Sequence, residues 1–196
     1  MMDRRSFIGA VALGIAGVPL PSNAQPAGKS LRIGLLAPGS ASASATQVLL
    51  EAFRQGLREL GWFEGQNITI EYRFAEGRQE VLPKLVAELI RLNIVLIVAE
   101  GTVATQAAKS ATGALPIVMA TSGDPVGSGL VATLARPGGN VTGLTLLAAE
   151  LSAKRLQLLK EIVPGVSRVA ALWNSANPET VLSLRQTEHA AGALDL

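Results

Sequence analysis

The stretch "IVLIVAEGTVATQAAKSATGALPIVMAT" at 94–121 decides the fold. "IVLIVA" at 94–99 is a continuous apolar run, which predicts a strand buried on both faces. "TVATQAAKSAT" predicts a short Ala-rich helix, and "LPIVMAT" predicts the next strand. Two buried strands joined through a helix predict parallel neighbours in an α/β sheet.

The same alternation extends in both directions. "LRIGLLA" at 31–37 reads as another buried strand. "TQVLLEAFRQGLRELG" at 46–61 reads as a helix with Leu49, Phe53, Leu57 and Leu60 on its inner stripe, stopped at Gly61. "NITIEYRFA" at 67–75 alternates Ile68, Ile70, Tyr72 and Phe74 on one face, as an edge strand does. "VLPKLVAELIRL" at 81–92 predicts a helix with Leu82, Leu85, Leu89 and Leu92 inward, and Pro83 falls in its first turn. "NVTGLTL" at 140–146 predicts a short strand after the turn Arg136-Pro137-Gly138-Gly139-Asn140. A helix follows at 148–164, with Leu151, Leu158 and Ile162 inward. "RVAALWN" at 168–174 predicts a further strand, and "NPETVLSLRQTEHAAGA" a last helix.

Ahead of this pattern, Arg4 and Arg5 precede an apolar run from Phe7 to Leu20 of about 14 residues, shorter than the roughly 20 a spanning helix needs. Ser22-Asn23-Ala24 supplies the small residues of a signal-peptidase site. Residues 1–24 are therefore expected to be a signal peptide, leaving a periplasmic or otherwise extracytoplasmic product. The order Asp3-Arg4-Arg5-Ser6-Phe7-Ile8 also resembles the twin-arginine export motif, with Asp3 where Ser or Thr is commoner.

Composition excludes several classes. Hydrophobic residues make up 48% of the 196, enough for a sizeable core. The net charge is only +2, and removing Asp3, Arg4 and Arg5 lowers it further. Arg54, Arg58, Arg73, Arg78 and Arg91 are interleaved with acids and read as solvated faces, so no nucleic-acid partner is expected. There is no cysteine and one histidine, His189, which argues against a catalytic metal. No G-x-S-x-G elbow, G-x-G-x-x-G or P-loop is present, so no catalytic residue and no cofactor is assigned.

In parallel sheets, ligands sit beyond the carboxyl ends of the strands. Those loops are Pro38–Ala45, Ala99–Thr105, Thr121–Gly127 and Asn174–Pro178, all rich in small polar residues. Such loops offer N–H groups and hydroxyls to a carboxylate, phosphate or neutral polar group. Asp124 suits either a ligand amine or the cap of a short helix begun by Pro125. Trp173 suits either stacking on a ligand ring or packing at the sheet edge.

Four segments carry a family resemblance: "EAFRQGLRELGWFEGQNITIEYRFAEG" (51–77), "GDPVGSGLVATLARPGGNVTGLTLL" (123–147), "ELSAKRLQLLKEIVP" (150–164) and "RVAALWNSANP" (168–178). The chain resembles ABC-transporter substrate-binding proteins of the tryptophan/tyrosine-import-related kind, with the type I periplasmic-binding-protein fold. The resemblance implies a parallel-sheet, Rossmann-like α/β lobe over residues 25–147 and the start of an incomplete second lobe over 148–196. It implies a small polar ligand such as an amino acid, captured in an interlobe cleft, and an ABC permease as membrane partner. From the first lobe it places Gly39, Ser40, Ser42, Gly101, Thr102, Thr105, Thr121 and Asp124 at the cleft. From the second it places Trp173, Asn174 and Asn177 there. Such proteins resemble chains of about 300 residues, so a fragment or degenerate gene is the expectation here. An extracytoplasmic sensor domain is the rival reading, because the same fold serves both. The strand at 168–173 would have no second sheet to join. Its apolar residues, and those of the flanking helices, must then pack on the first lobe, pair with another chain or stay exposed.

Overall fold

The computed structural model describes residues 30–196. The signal-peptide reading of residues 1–24 lies outside the described residues. Five strands form one parallel sheet: β1 (Leu31–Ala37), β2 (Ile68–Phe74), β3 (Ile97–Glu100), β4 (Ile117–Thr121) and β5 (Val141–Gly143). Their order in the sheet is β2-β1-β3-β4-β5. Five helices accompany them: α1 (Ser44–Glu59), α2 (Leu82–Arg91), α3 (Gly101–Ala111), α4 (Ala148–Ile162) and α5 (Pro178–Ala193).

Side-chain parity along the strands builds two cores. On β1, Ile33, Leu35 and Ala37 point to the α1 side, and Leu36 points to the side of α2 and α3. On β3, Ile97 and Ala99 join the α2–α3 core, and Val98 joins the α1 core. Leu82, Val86 and Leu89 of α2 and Ala104 and Ala108 of α3 fill the first core. Leu50 of α1, backed by Phe53 and Leu57, fills the second. β2 is the sheet edge, as its alternation predicts. There Ile68 and Ile70 are buried, and the Tyr72 and Phe74 rings stack with centroids 6.3 Å apart.

Two helix stripes differ from expectation. In α1 the buried residues are Thr46 and Leu50, and Leu49 is 54% exposed. The stripe runs Thr46-Leu50-Phe53-Leu57, one position out of phase with Leu49 and Leu60. In α4 the buried residues are Ala149, Ser152 and Leu156, whereas Ile162 is 78% exposed. The third correction concerns 168–174, which forms no strand. A strand needs a neighbour for its backbone groups, and none of the five strands pairs with this segment. Val169 and Trp173 are exposed and Leu172 is fully so, at 104%. α4 and α5 pack on each other, and α5 also touches α3.

Gly143 fixes the closest approach in the sheet. Its φ is +139°, and a Cβ there would lie 2.2 Å from the Met119 carbonyl oxygen. Gly143→Ala is expected to cost about 2–4 kcal/mol, read as a fall in melting temperature. Gly56→Ala in α1 meets nothing within 4 Å. It should stabilise by about 0.5–1 kcal/mol through lower unfolded-chain entropy. Amide exchange at 168–173 should be far faster than at 97–100, and equal protection would contradict the unpaired state.

Candidate functional site

The strand order reverses at β1. The chain moves from β1 outward to β2, then crosses back to place β3 on the other side of β1. The loops leaving β1 and β3 therefore diverge, and a crevice opens between them at the carboxyl ends.

The β1 loop is tied to the β2 side of this opening. Ala75 N donates to Ala37 O at 2.9 Å, Gly77 N to Pro38 O at 2.9 Å and Glu76 N to Gly39 O at 3.1 Å. The Glu76 carboxylate accepts from Ala41 N at 3.2 Å. Hydrogen bonds from Ser40 and from that N–H hold the Glu76 carboxyl below the usual carboxylate range. The Ser40 and Ser42 hydroxyls lie 3.0 Å apart. Gly39, Ser40 and Ser42 thus sit in one knitted loop at the mouth of the crevice.

β3 passes into α3 with no intervening residue. Gly101, with φ +77°, makes that turn possible. Thr102 lies in the first turn of α3 and Thr105 one turn after Gly101, and both are buried. The Thr105 hydroxyl donates to Gly101 O at 2.7 Å. The Thr102 hydroxyl lies 3.2 Å from that of Ser122, which joins the α3 start to the loop after β4. Thr121 ends β4. Asp124 accepts from Gly127 N at 2.7 Å, and the segment after Pro125 is a run of turns. The short helix expected there is absent because the backbone bonds Ser128 N–Asp124 O and Gly129 N–Val126 O close isolated turns.

α5 stands on this loop. A Cβ on Gly123 would meet Glu179 Cγ at 1.8 Å, and one on Gly127 would meet Leu182 Cδ1 at 3.0 Å. The Asn177 side chain caps α5 by accepting from Glu179 N at 3.1 Å. Asn174 accepts from Ala176 N at 3.0 Å through its side chain. The start of α5 is thereby brought against the β4 loop. Trp173 lies on the exposed segment just before it.

Sequence reading passed over Glu100. Strand parity identifies it, since Val98 and Glu100 share the α1 face of β3. It lines an open groove of about 330 Å³ between α1 and the sheet, together with Ala37, Thr46, Phe53, Val98 and Thr121. Its carboxylate makes no capping bond to α3. Burial raises its pKa, and no hydrogen bond or neighbouring charge contributes to the shift. Among the described residues, no group of three or more His, Cys, Asp or Glu could hold a metal ion.

The profile of the family described as "ABC transporter substrate binding protein" matches residues 41–196. The tyrosine-binding protein of Clostridioides difficile strain R20291 is 32% identical over 127 residues, which is 64% of this chain and 36% of that protein. A conserved domain protein from Vibrio cholerae superposes with a TM-score of 0.79 at 27% identity, over 86% of this chain and 55% of that one. The L-Trp complex of an ABC domain from Streptococcus pneumonia superposes with a TM-score of 0.75 at 28% identity, over 85% of this chain and 55% of that one. The chain therefore spans about a third of the curated relative and about half of these solved structures. Its sheet and flanking helices match one lobe of the two-lobed type I periplasmic-binding-protein fold, with the second lobe incompletely covered.

Glu100 is protonated to a higher pH in the folded protein than in the unfolded chain. The folded state therefore binds more protons across that window, and stability falls as pH rises through it. Glu100→Gln should melt above the parent at pH 7 and converge with it near pH 3, followed by thermal denaturation at each pH. A variant that melts lower at pH 7 would show that the charge is compensated.

Proposed function

Because the chain belongs to the ABC transporter substrate binding protein family, we propose that it is the solute-capturing part of an ABC-type importer, with an amino acid as the class of ligand. The family is one of binding proteins, and its members act outside the cytoplasm. Among the described residues, no helix is long and apolar enough to cross a membrane. The observation that carries the reading is that three loops, at Gly39–Ser42, Glu100–Thr102 and Thr121–Asp124, leave the carboxyl end of one parallel sheet whose strand order reverses at β1. Loops of this kind satisfy a ligand's polar groups through N–H donors and hydroxyls, and the sheet beneath supplies the rigid frame.

On this reading, the first lobe runs to residue 147, its described part being residues 30–147, and 148–196 are the beginning of the second. Trp173, Asn174 and Asn177 approach the ligand from that second side. A membrane permease reads the closed form. The L-Trp complex and the tyrosine-binding relative favour an aromatic amino acid among the candidates. Ligand trapped between two lobes draws on contacts from both. The lobe described here supplies one wall, so its own affinity should be weak.

Titration of the 196-residue chain with L-tryptophan, L-tyrosine, L-aspartate and glucose, followed by amide chemical shifts, tests the proposal. The expected outcome is shifts at Gly39–Ser42, Glu100–Thr102 and Thr121–Asp124 with an aromatic amino acid, at millimolar concentration. Shifts confined to other surfaces, or none with any of the four, would refute it.

A further inference from the structure

The β1 loop changes its mode of support at Gly39. Up to that residue it hangs on the β2 side by backbone bonds, with Ala37, Pro38 and Gly39 accepting from Ala75 N, Gly77 N and Glu76 N. Beyond it, the tip at 40–43 makes local bonds. Ala43 N donates to Ser40 O at 3.3 Å, Ser42 N to the Ser40 hydroxyl at 3.3 Å, and the Gln47 side chain to Ala41 O. Among the described residues, one group outside the β1–α1 segment hydrogen-bonds to this tip. It is the Glu76 carboxylate, which accepts from Ala41 N at 3.2 Å. Ser42 and Ala43 are exposed, so burial does not hold them in place.

Glu76 stands in a conformation that its own backbone resists. Its φ is +52°, in the left-handed region where a Cβ is crowded, and Gly77 beside it has φ +77°. A glycine at 76 would take up this turn without strain, as Gly77 does. Glutamate has neither that freedom nor the short polar side chain with which Asn and Asp settle there. What it adds is reach. The carboxylate crosses from the β2 loop to the tip of the β1 loop, where Ser40 also donates to it. Those two bonds, with Arg78 nearby, favour its ionised form, the stronger acceptor. Backbone strain of this kind persists where the surroundings over-determine it, and it gathers at sites whose geometry is used.

We propose that Glu76 is a positioning residue of the candidate site: it draws the tip of the β1 loop to the β2 side and so keeps the crevice between the β1 and β3 loops open. It acts through Ser40, Ala41 and Ser42 rather than on the ligand. The inference rests on the solute-binding reading above and adds how the first of its three loops is presented. With the carboxylate removed, the tip keeps its local bonds but loses its tie to the β2 side. A ligand must then order the tip as it binds, and that ordering is subtracted from its affinity. One hydrogen bond of this kind, at an exposed carboxylate, corresponds to a change of about fivefold in binding.

The test uses the full chain and the variants Glu76→Ala, Glu76→Gly and Glu76→Gln. The probe is L-tryptophan or L-tyrosine, whichever the parent binds more tightly. Ala and Gly both remove the carboxylate, but only Gly relieves the left-handed strain, so Glu76→Gly should melt above Glu76→Ala. Both should lower the amide order parameters at 40–43, leave those of β1 unchanged, and weaken the probe by about fivefold. Glu76→Gln keeps an acceptor oxygen for Ala41 N and should bind within about twofold of the parent. Affinity that follows melting temperature, with Gly binding better than Ala, would make Glu76 a stability residue alone and overturn the proposal. An unchanged affinity or unchanged tip order in Glu76→Ala would overturn it too, as would a Gln variant as weak as Ala. In each of these cases a parent whose strand-tip amides respond to the probe keeps the solute-binding reading. A parent in which neither amino acid moves those amides removes that reading, and this inference with it.

Discussion

A strand with parallel neighbours on both edges and packing on both faces must serve two cores at once. β1 and β3 meet that demand within a few residues each. Leu35 and Val98 go to one side, Leu36, Ile97 and Ala99 to the other, and backbone bonds go to both neighbours. Gly34 shows how little room is left. A Cβ there would lie 3.0 Å from the ends of Leu89 and Ile94. The rest of the architecture depends on this burial. It aligns β2, β3, β4 and β5 in one direction, gathers their carboxyl ends, and so sets where loops can face a ligand.

Much of this was legible because buried parallel strands leave a strong mark. β1 lies where its apolar run places it, and the five sheet strands and five helices fall close to their expected segments. The misses share a physical origin. Periodicity gives a helix's stripe but not its phase against the sheet. Leu49 and Leu50 are equally apolar, and only the position of β1 and β2 decides that Leu50 turns inward. The α4 stripe fails for the same reason, since two of its three inner residues, Ala149 and Ser152, are smaller than the leucines left outside, and only Leu156 matches them. The segment 168–174 is β-like in composition, yet strand formation is a property of a pair. No partner is present among the described strands, and Leu172 stays in solvent.

The candidate site was less legible than the fold. Loop composition pointed to the carboxyl end of the sheet but could not say which polar atoms are already engaged. The Thr105 hydroxyl goes to Gly101 O, that of Thr102 faces Ser122, Asp124 closes its own turn and Asn177 caps α5. These are local or buried satisfactions that any sheet tip needs. They shape the loops and hold α5 against the β4 loop.

That accounting changes where selectivity should reside. A hydroxyl engaged inside the protein must break one bond to make another, so its net contribution to ligand choice is small. Backbone N–H groups facing the crevice carry no such cost, but they discriminate poorly among acceptors. An uncompensated carboxylate differs from both. Pairing it with a cation removes a desolvation cost already incurred by folding, whereas placing any other group beside it leaves that cost in place. For a binding protein built on this sheet, the hydroxyl-rich loops are then scaffold and general recognition. Glu100, placed at the end of β3 by strand parity, is half-buried and makes no capping bond to α3, so folding carries its desolvation cost.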